Sequence, residues 1–195
     1  TRHYWVYLQS SGTMSVEFHD GGTRTMVGVV NGLTPRQWHA LVLNFDRDDK
    51  LTIYLDGAAT PGNDNLKLAT GNCAPGGLAI GRRYGPDIHY FPGRIDNAFY
   101  ANRLLTADEI AYMHNNGKWR QYAEIAADQP SLASAMKGFW EFDDKSNLGL
   151  DSTPSENHLT PQGTPTRGEG INYLEGVVSR WEDQSVGGKH ATITT

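Results

Sequence analysis

A chain of 195 residues with 22 glycines and 9 prolines, 38% hydrophobic and 10% aromatic, has room for one generous all-β domain or two small ones, and this turn-rich composition argues against a disordered or mainly helical protein. The formal charge is -5 and no basic run exceeds Arg82-Arg83, so the electrostatic footprint of a nucleic-acid partner is missing. No apolar run approaches the ~18 residues of a membrane helix, and the single cysteine, Cys73, allows no intrachain disulfide.

Alternating hydrophobicity predicts strands from the start of the chain. After a strand at 3–9, Met14, Val16 and Phe18 share one face while Ser15, Glu17 and His19 share the other, and a third strand covers 23–30. Residues 38–45 are apolar on both faces, which predicts a central strand covered on both sides. The polar stretch Asp46-Arg47-Asp48-Asp49-Lys50 leads as a hairpin into 51–56, where Leu51, Ile53 and Leu55 alternate with Thr52, Tyr54 and Asp56 before the Asp56-Gly57 turn signal. Further strands are expected at 66–70, 78–82 and 94–100. This short spacing is that of a β-sandwich or jelly roll.

One helix is well signed. Thr106 and Glu109 form a capping-box pattern, Leu105 and Ile110 are placed as a hydrophobic staple, and Gly117 supplies a stop. A weaker helical stretch at 120–128 ends before Pro130, and the small residues of 131–137 suggest a boundary. The expected organisation is a first unit at 1–125, a linker at 126–136 and a second unit at 137–195. Within the tail, Asp151 to Thr160 and Asp183 to Thr192 share the spacing Asp-x6-His-x-Thr, and each follows a tryptophan, Trp140 or Trp181.

The runs WHALVLNFDRDDKLTIYLDG, LAIGRR and YFPGRIDNAFYANRLLTADEIAYMHNNG, taken in order over residues 38–117, resemble the second half of a laminin G-like jelly roll, the concanavalin A-like lectin fold shared with pentraxins. The tail run Trp140-Glu141-Phe142-Asp143 with Asp151-Ser152 resembles the same family's opening strand and loop. The head thus finishes a domain it did not begin and the tail begins one it does not finish, which circular permutation, a strand donated to the next copy, or a piece of a larger tandem array would each explain. The resemblance implies an all-β, two-sheet antiparallel jelly-roll sandwich with one short helix, either circularly permuted or completed by strand donation to a neighbouring copy. Trp140, Phe142 and Trp181 are the residues expected at the completing or assembling contact. Left incomplete, such a sandwich would expose strand edges.

The family also implies a non-catalytic extracellular carbohydrate-binding or adhesion module, on the surface of or secreted from a bacterium, with a glycan or polysaccharide as partner and any export signal outside this chain. Its alternative is a structural subunit of a fibre or surface array made by head-to-tail complementation, and a polysaccharide-degrading enzyme is third. The ligand loop is read at 82–91, where Arg83, Tyr84, Asp87, His89 and Tyr90 combine flat rings with polar tips. Glu141 and Asp143, at i and i+2, would place two carboxylates on one strand face as some glucanases of this fold do, but Ser146 stands where their third acid belongs. Asp96 is read as a structural carboxylate next to buried Ile95 and Phe99. Calcium is the one candidate ion, through Asp46, Asp48 and Asp49, although that loop reads better as a solvated hairpin. No histidine pair has zinc-site spacing, and neither a nucleophile elbow nor a phosphate loop is present.

Overall fold

The computed structural model describes residues 3–9, 12–20, 23–46, 49–60, 78–81, 91, 93–162, 182–183 and 192–194. The expected strand at 66–70 lies outside them.

Two antiparallel meanders form the front of the molecule. Strands β1 (His3–Leu8), β2 (Met14–Asp20) and β3 (Thr23–Val30) pair in that order, with a bulge between Phe18 and His19. Strands β4 (Leu41–Phe45), β5 (Leu51–Leu55) and β6 (Ala58–Thr60) make the second. The link from β5 to β6 is the expected two-residue turn, for Asp56 and Gly57 take φ of 51° and 83°, the left-handed pair that matches the twist of a tight hairpin. The 46–50 connection also closes as expected, Asp46 N–H donating to the Lys50 carbonyl at 3.0 Å.

The inward faces of the two meanders meet in one core of Met14, Val16, Val30, Leu51 and Ile53. Gly28 permits this approach, since a Cβ there would lie 2.7 Å from Leu51 Cδ2 and 2.9 Å from Ile53 Cδ1. The other face of β4 and β5 looks onto a second core, in which Ala40 and Val42 meet Leu105, Ile110, Met113, Trp119, Ile125, Leu132, Met136 and Phe139. β4 is thus covered on both sides, as its two-faced apolar sequence demands, and the chain is an all-β antiparallel sandwich with short helices added.

Three short strands follow: β7 (Ala79–Ile80), β8 (Gly93–Arg94) and β9 (Ala98–Ala101). The single strand expected at 94–100 is broken because Asn97 adopts a φ of 47°. Asn97 is also buried, and its side-chain amide has no partner among the described residues, whereas Ile95 and Phe99 are only half-buried.

Helix α1 (Ala107–His114) has the anticipated cap: Glu109 N–H donates to Thr106 Oγ1 at 3.2 Å, Thr106 N–H donates to Glu109 Oε2 at 2.9 Å, and Leu105 and Ile110 are both buried. It stops earlier than Gly117, at Asn115, because Asn115 and Asn116 already take left-handed φ of 45° and 56°. Helix α2 (Tyr122–Asp128) realises the weaker stretch through a second capping box on Gln121 and Glu124, and the Arg120 guanidinium lies 4.3 Å from the Tyr112 ring centre. Helix α3 (Pro130–Ala135) was not expected. Residues 126–136 are no open linker: they are the end of α2, all of α3 and the first residue of the next strand, with Leu132, Ala133, Ala135 and Met136 buried. Pro130 sits in the first turn, where its missing N–H costs nothing. The alanines that give the segment a linker-like composition let it pack closely.

The tail returns to the head. Strand β10 (Met136–Trp140) pairs with β9; β11 (Thr160–Gln162) pairs with β13 (Thr192–Thr194), which pairs on its other side with β7; and β12 (Glu182–Asp183) pairs with β8, all antiparallel. Among the described residues no helix is long and apolar enough to cross a membrane.

Candidate functional site

The contact between tail and head is built on β10. Phe139 lies opposite Phe99 and Trp140 opposite Ala98, with a register shift between Met136 and Gly138. The rings of Trp119, Phe99, Phe139 and Tyr122 form a continuous ladder, with successive centroids 6.1, 6.3 and 5.9 Å apart. Trp140 is 2% exposed and packs with Leu159, Ile80, Ala98 and Phe142. Its indole lies back over Gly138, where a Cβ would come within 2.3 Å of Trp140 Cη2. The Gly-Phe-Trp run is therefore one unit in which the glycine makes space for the tryptophan two residues on. Phe142 takes a φ of 57° and turns the chain away after the strand.

The turn that follows is organised by Asp151, which is 4% exposed. Its Oδ1 accepts from the backbone N–H groups of Phe139 and Thr153, both at 2.9 Å, and its Oδ2 accepts from Asn157 N–H at 2.9 Å and the Thr153 hydroxyl at 3.0 Å. Four donors replace the water that burial removes. Asp151 N–H donates to His158 Nδ1 at 3.1 Å, and Trp140 Nε1–H donates to the Asn157 carbonyl at 3.0 Å. The Asp and His of the Asp-x6-His spacing thus meet within one turn. Of the second occurrence, only Asp183 and Thr192 fall among the described residues. Gly149 is obligatory, for a Cβ there would sit 1.9 Å from the Leu159 carbonyl oxygen.

The carboxylate pair read for chemistry does not share a strand face. β10 ends at Trp140, and the left-handed Phe142 separates Glu141 from Asp143. Glu141 accepts from Tyr122 N–H through Oε1 at 3.0 Å and from the Ser152 hydroxyl through Oε2 at 3.1 Å, so it ties the start of α2 to the 151–160 turn. Burial, with Asp151 nearby as a lesser cause, raises the Tyr122 phenol above its ordinary range. Asp144 folds onto its own loop, accepting from Ser146 N–H at 2.7 Å and Asn147 N–H at 3.0 Å.

Other expected residues fall elsewhere. Arg83, Tyr84, Asp87, His89, Tyr90, Trp181 and Asp48 lie outside the described residues. No group of three or more His, Cys, Asp or Glu among the described residues is arranged to hold a metal ion. His39, 6% exposed, accepts Thr34 N–H on Nε2 at 2.8 Å, which leaves the proton on Nδ1 to be donated to Asp56 Oδ2 at 2.8 Å. Both ring nitrogens are committed to joining the β4 entry to the β5 turn.

A second polar cluster escaped the sequence reading. On the face of β1–β3 opposite the core, Tyr7 O–H donates to Glu17 Oε1 at 2.6 Å and the Gln9 amide donates to Ser15 Oγ at 2.6 Å. Ser15 is 1% and Glu17 5% exposed, while Tyr7 is 37% exposed. The hydrogen bond to Glu17, then burial, raises the Tyr7 phenol above its ordinary range. Alternation placed Ser15 and Glu17 on this face but carried no signal that they are covered.

A family model described as the concanavalin A-like lectin/glucanases superfamily matches residues 1–111, from the start of the chain into α1. The tail is not part of that match. No curated protein and no solved structure matches the chain.

Proposed function

Because the chain belongs to the concanavalin A-like lectin/glucanases superfamily, we propose that it is a non-catalytic carbohydrate-binding or adhesion module that works outside the cell or at its surface. The family match over residues 1–111 carries this reading. Glu141 itself has a structural role, since both of its oxygens accept from groups that hold the fold and the left-handed Phe142 keeps Asp143 off its strand face. Arg83, Tyr84, Asp87, His89 and Tyr90 are candidate glycan contacts on sequence grounds, since aromatic faces suit the C–H faces of sugar rings.

A glycan array probed with the whole chain tests the proposal. Signal on defined glycans, reduced in the Tyr84→Ala/Tyr90→Ala variant, is the expected result. An array without signal sinks the binding reading, and signal untouched by the double substitution removes that loop from the site. Release of reducing ends from a bound polysaccharide, lost in Glu141→Gln, would make the chain an enzyme instead.

A second reading, self-assembly into a fibre or array, is favoured by one observation. The edge of β9 takes its partner strand from far along the sequence, so the same segment of a neighbouring copy fits the same edge. Size-exclusion chromatography with light scattering separates the two: a monomer supports the lectin, whereas open-ended polymers that dissolve on Trp140→Ala support assembly.

A further inference from the structure

We propose that His39 is a pH-sensitive latch: its neutral ring holds the surface loop 31–38 against the sandwich, and protonation of the ring lets that loop go. The proposal stands on the geometry around the ring and is independent of the carbohydrate-binding reading.

The loop is built as a stiff projection. Gln37 N–H donates to the Thr34 carbonyl at 3.2 Å and closes a turn with Pro35 and Arg36 at its centre. Proline fixes a negative φ and Arg36 takes a φ of 64°, which makes this a type II turn with an arginine where glycine ordinarily stands. Thr34 to Gln37 are all exposed, whereas His39 and Ala40, at the entry to β4, are buried. An exposed turn with a strained residue needs a tie to the body of the protein. The His39 ring supplies one.

That ring is bonded in opposite senses at its two nitrogens. Nε2 accepts from Thr34 N–H at 2.8 Å, and Nδ1 donates to Asp56 Oδ2 at 2.8 Å. Asp56 is fixed in turn by Ala40, since its Oδ1 accepts Ala40 N–H and its own N–H donates to the Ala40 carbonyl, each at 2.8 Å. A backbone N–H can only donate, so the Thr34 bond requires a bare Nε2, which the neutral ring has and the imidazolium lacks. A second proton therefore sets one N–H against another on the loop side of the ring. On the Asp56 side the bond survives and becomes charge-assisted.

The surroundings favour this one-sided release. Asp56 is the carboxylate that faces the ring, and its side chain is 45% exposed, which gives protons a route to a buried pair. Strands β4, β5 and β6 carry no charged residue, and Tyr54 is their one other titratable group. Across the same turn stands His114 of α1, whose Nδ1 would lie 2.7 Å from a Cβ placed on Gly57. Arg36 is the one charged side chain of residues 31–38, and its sign is that of the protonated ring. Histidine is the side chain that ordinarily titrates between about pH 5 and 8, so the latch responds to mild acid.

NMR spectroscopy of the full chain across that range tests the latch. The His39 Cε1–Hε1 resonance follows ring protonation, and hydrogen exchange of the Thr34 and Ala40 amides, corrected for the intrinsic effect of pH, follows the two sides of the ring. Thr34 protection is expected to fall about tenfold in step with the ring's own titration, while Ala40 keeps its protection. His39→Gln supplies an acceptor and a donor without a titration, so its Thr34 protection should stay level over the same range. Thr34 protection that is unchanged while the ring titrates overturns the proposal, as does a ring that stays neutral until the whole protein unfolds. Loss of Thr34 and Ala40 protection together overturns it as well, because the opening would then not be confined to the loop. Should His39→Gln fail to fold by circular dichroism, the divergence of the two wild-type amides decides.

Discussion

Asp151 and Glu17 are both buried carboxylates, 4% and 5% exposed, and the hydrogen bonds described for them come from different kinds of donor. Three of the four donors to Asp151 are backbone N–H groups, drawn from β10 and from the turn that follows it. Glu17 takes the hydroxyl of a side chain that is itself partly in solvent. A carboxylate wired to the backbone cannot release its partners without unwinding the chain around it. Burial alone therefore does not mark a functional acid, and Asp151 is a buried carboxylate whose donors are those of a structural turn.

That contrast can be broken by mutation, and the largest effects belong to the Asp151 turn. Gly149→Ala would force a Cβ against the Leu159 carbonyl, a backbone atom that cannot swing aside, so a loss of about 4 kcal/mol or more is expected in urea denaturation, enough to abolish cooperative unfolding. Asp151→Ala strands the N–H groups of Phe139, Thr153 and Asn157 in a buried setting and should cost about 3–5 kcal/mol by the same measurement. Gly138→Ala meets only the Trp140 ring, a side chain that can move, so about 1–3 kcal/mol is expected, together with a shift in tryptophan emission as the indole leaves its pocket. Tyr7→Phe on the sheet face, which removes one donor to the buried Glu17, should change stability by about 1 kcal/mol in the same measurement.

Glu109 completes the series as a carboxylate near the surface. Its carboxyl is held below the ordinary range, first by the hydrogen bonds from Arg103 and then by the Thr106 cap. Because the folded value is the lower one, its contribution is complete above the ordinary glutamate pKa of about 4.3 and is lost as pH falls from there through the folded value. Glu109→Gln should lower stability at pH 7 by about 0.5–1 kcal/mol and flatten the acid limb of a stability-pH curve, with little difference left once both proteins are in strong acid.

The two regions also differ in how far sequence reveals them. The front meanders follow period-two alternation, and the Asp56-Gly57 turn and the Thr106–Glu109 cap are local chemistry that short sequence runs specify. The helix at Pro130–Ala135 is different. Alanine and serine describe a linker and a closely packed helix equally well, and only the partners buried beneath Leu132 and Ala133 decide between them. The roles of Gly138 and Gly149 come from what lies across from them, which no short sequence run specifies. Ser15 and Glu17 have the right alternation for an outward face, but cover is a property of three strands together and no single strand encodes it. The aromatic residues of 82–91 are a contiguous run of types that suit sugar contact, whereas the sheet-face cluster is scattered over Trp5 to Val29 and becomes a set only through strand register.

The pairing of Ala101 with Met136 brings the chain back to the spot it left. Between those residues lie three helices, two with capping boxes of their own and the third opened by Pro130. Such helices form from local contacts on a submicrosecond to microsecond scale, faster than distant strands find each other. By winding up the intervening chain, they reduce the loop that must close before β10 can dock. The aromatic ladder of Trp119, Phe99, Phe139 and Tyr122 joins rings from both sides of that excursion, so it is completed only when the excursion has folded. On this reasoning the helices shorten the loop that must close before the late strand β10 can pair with β9.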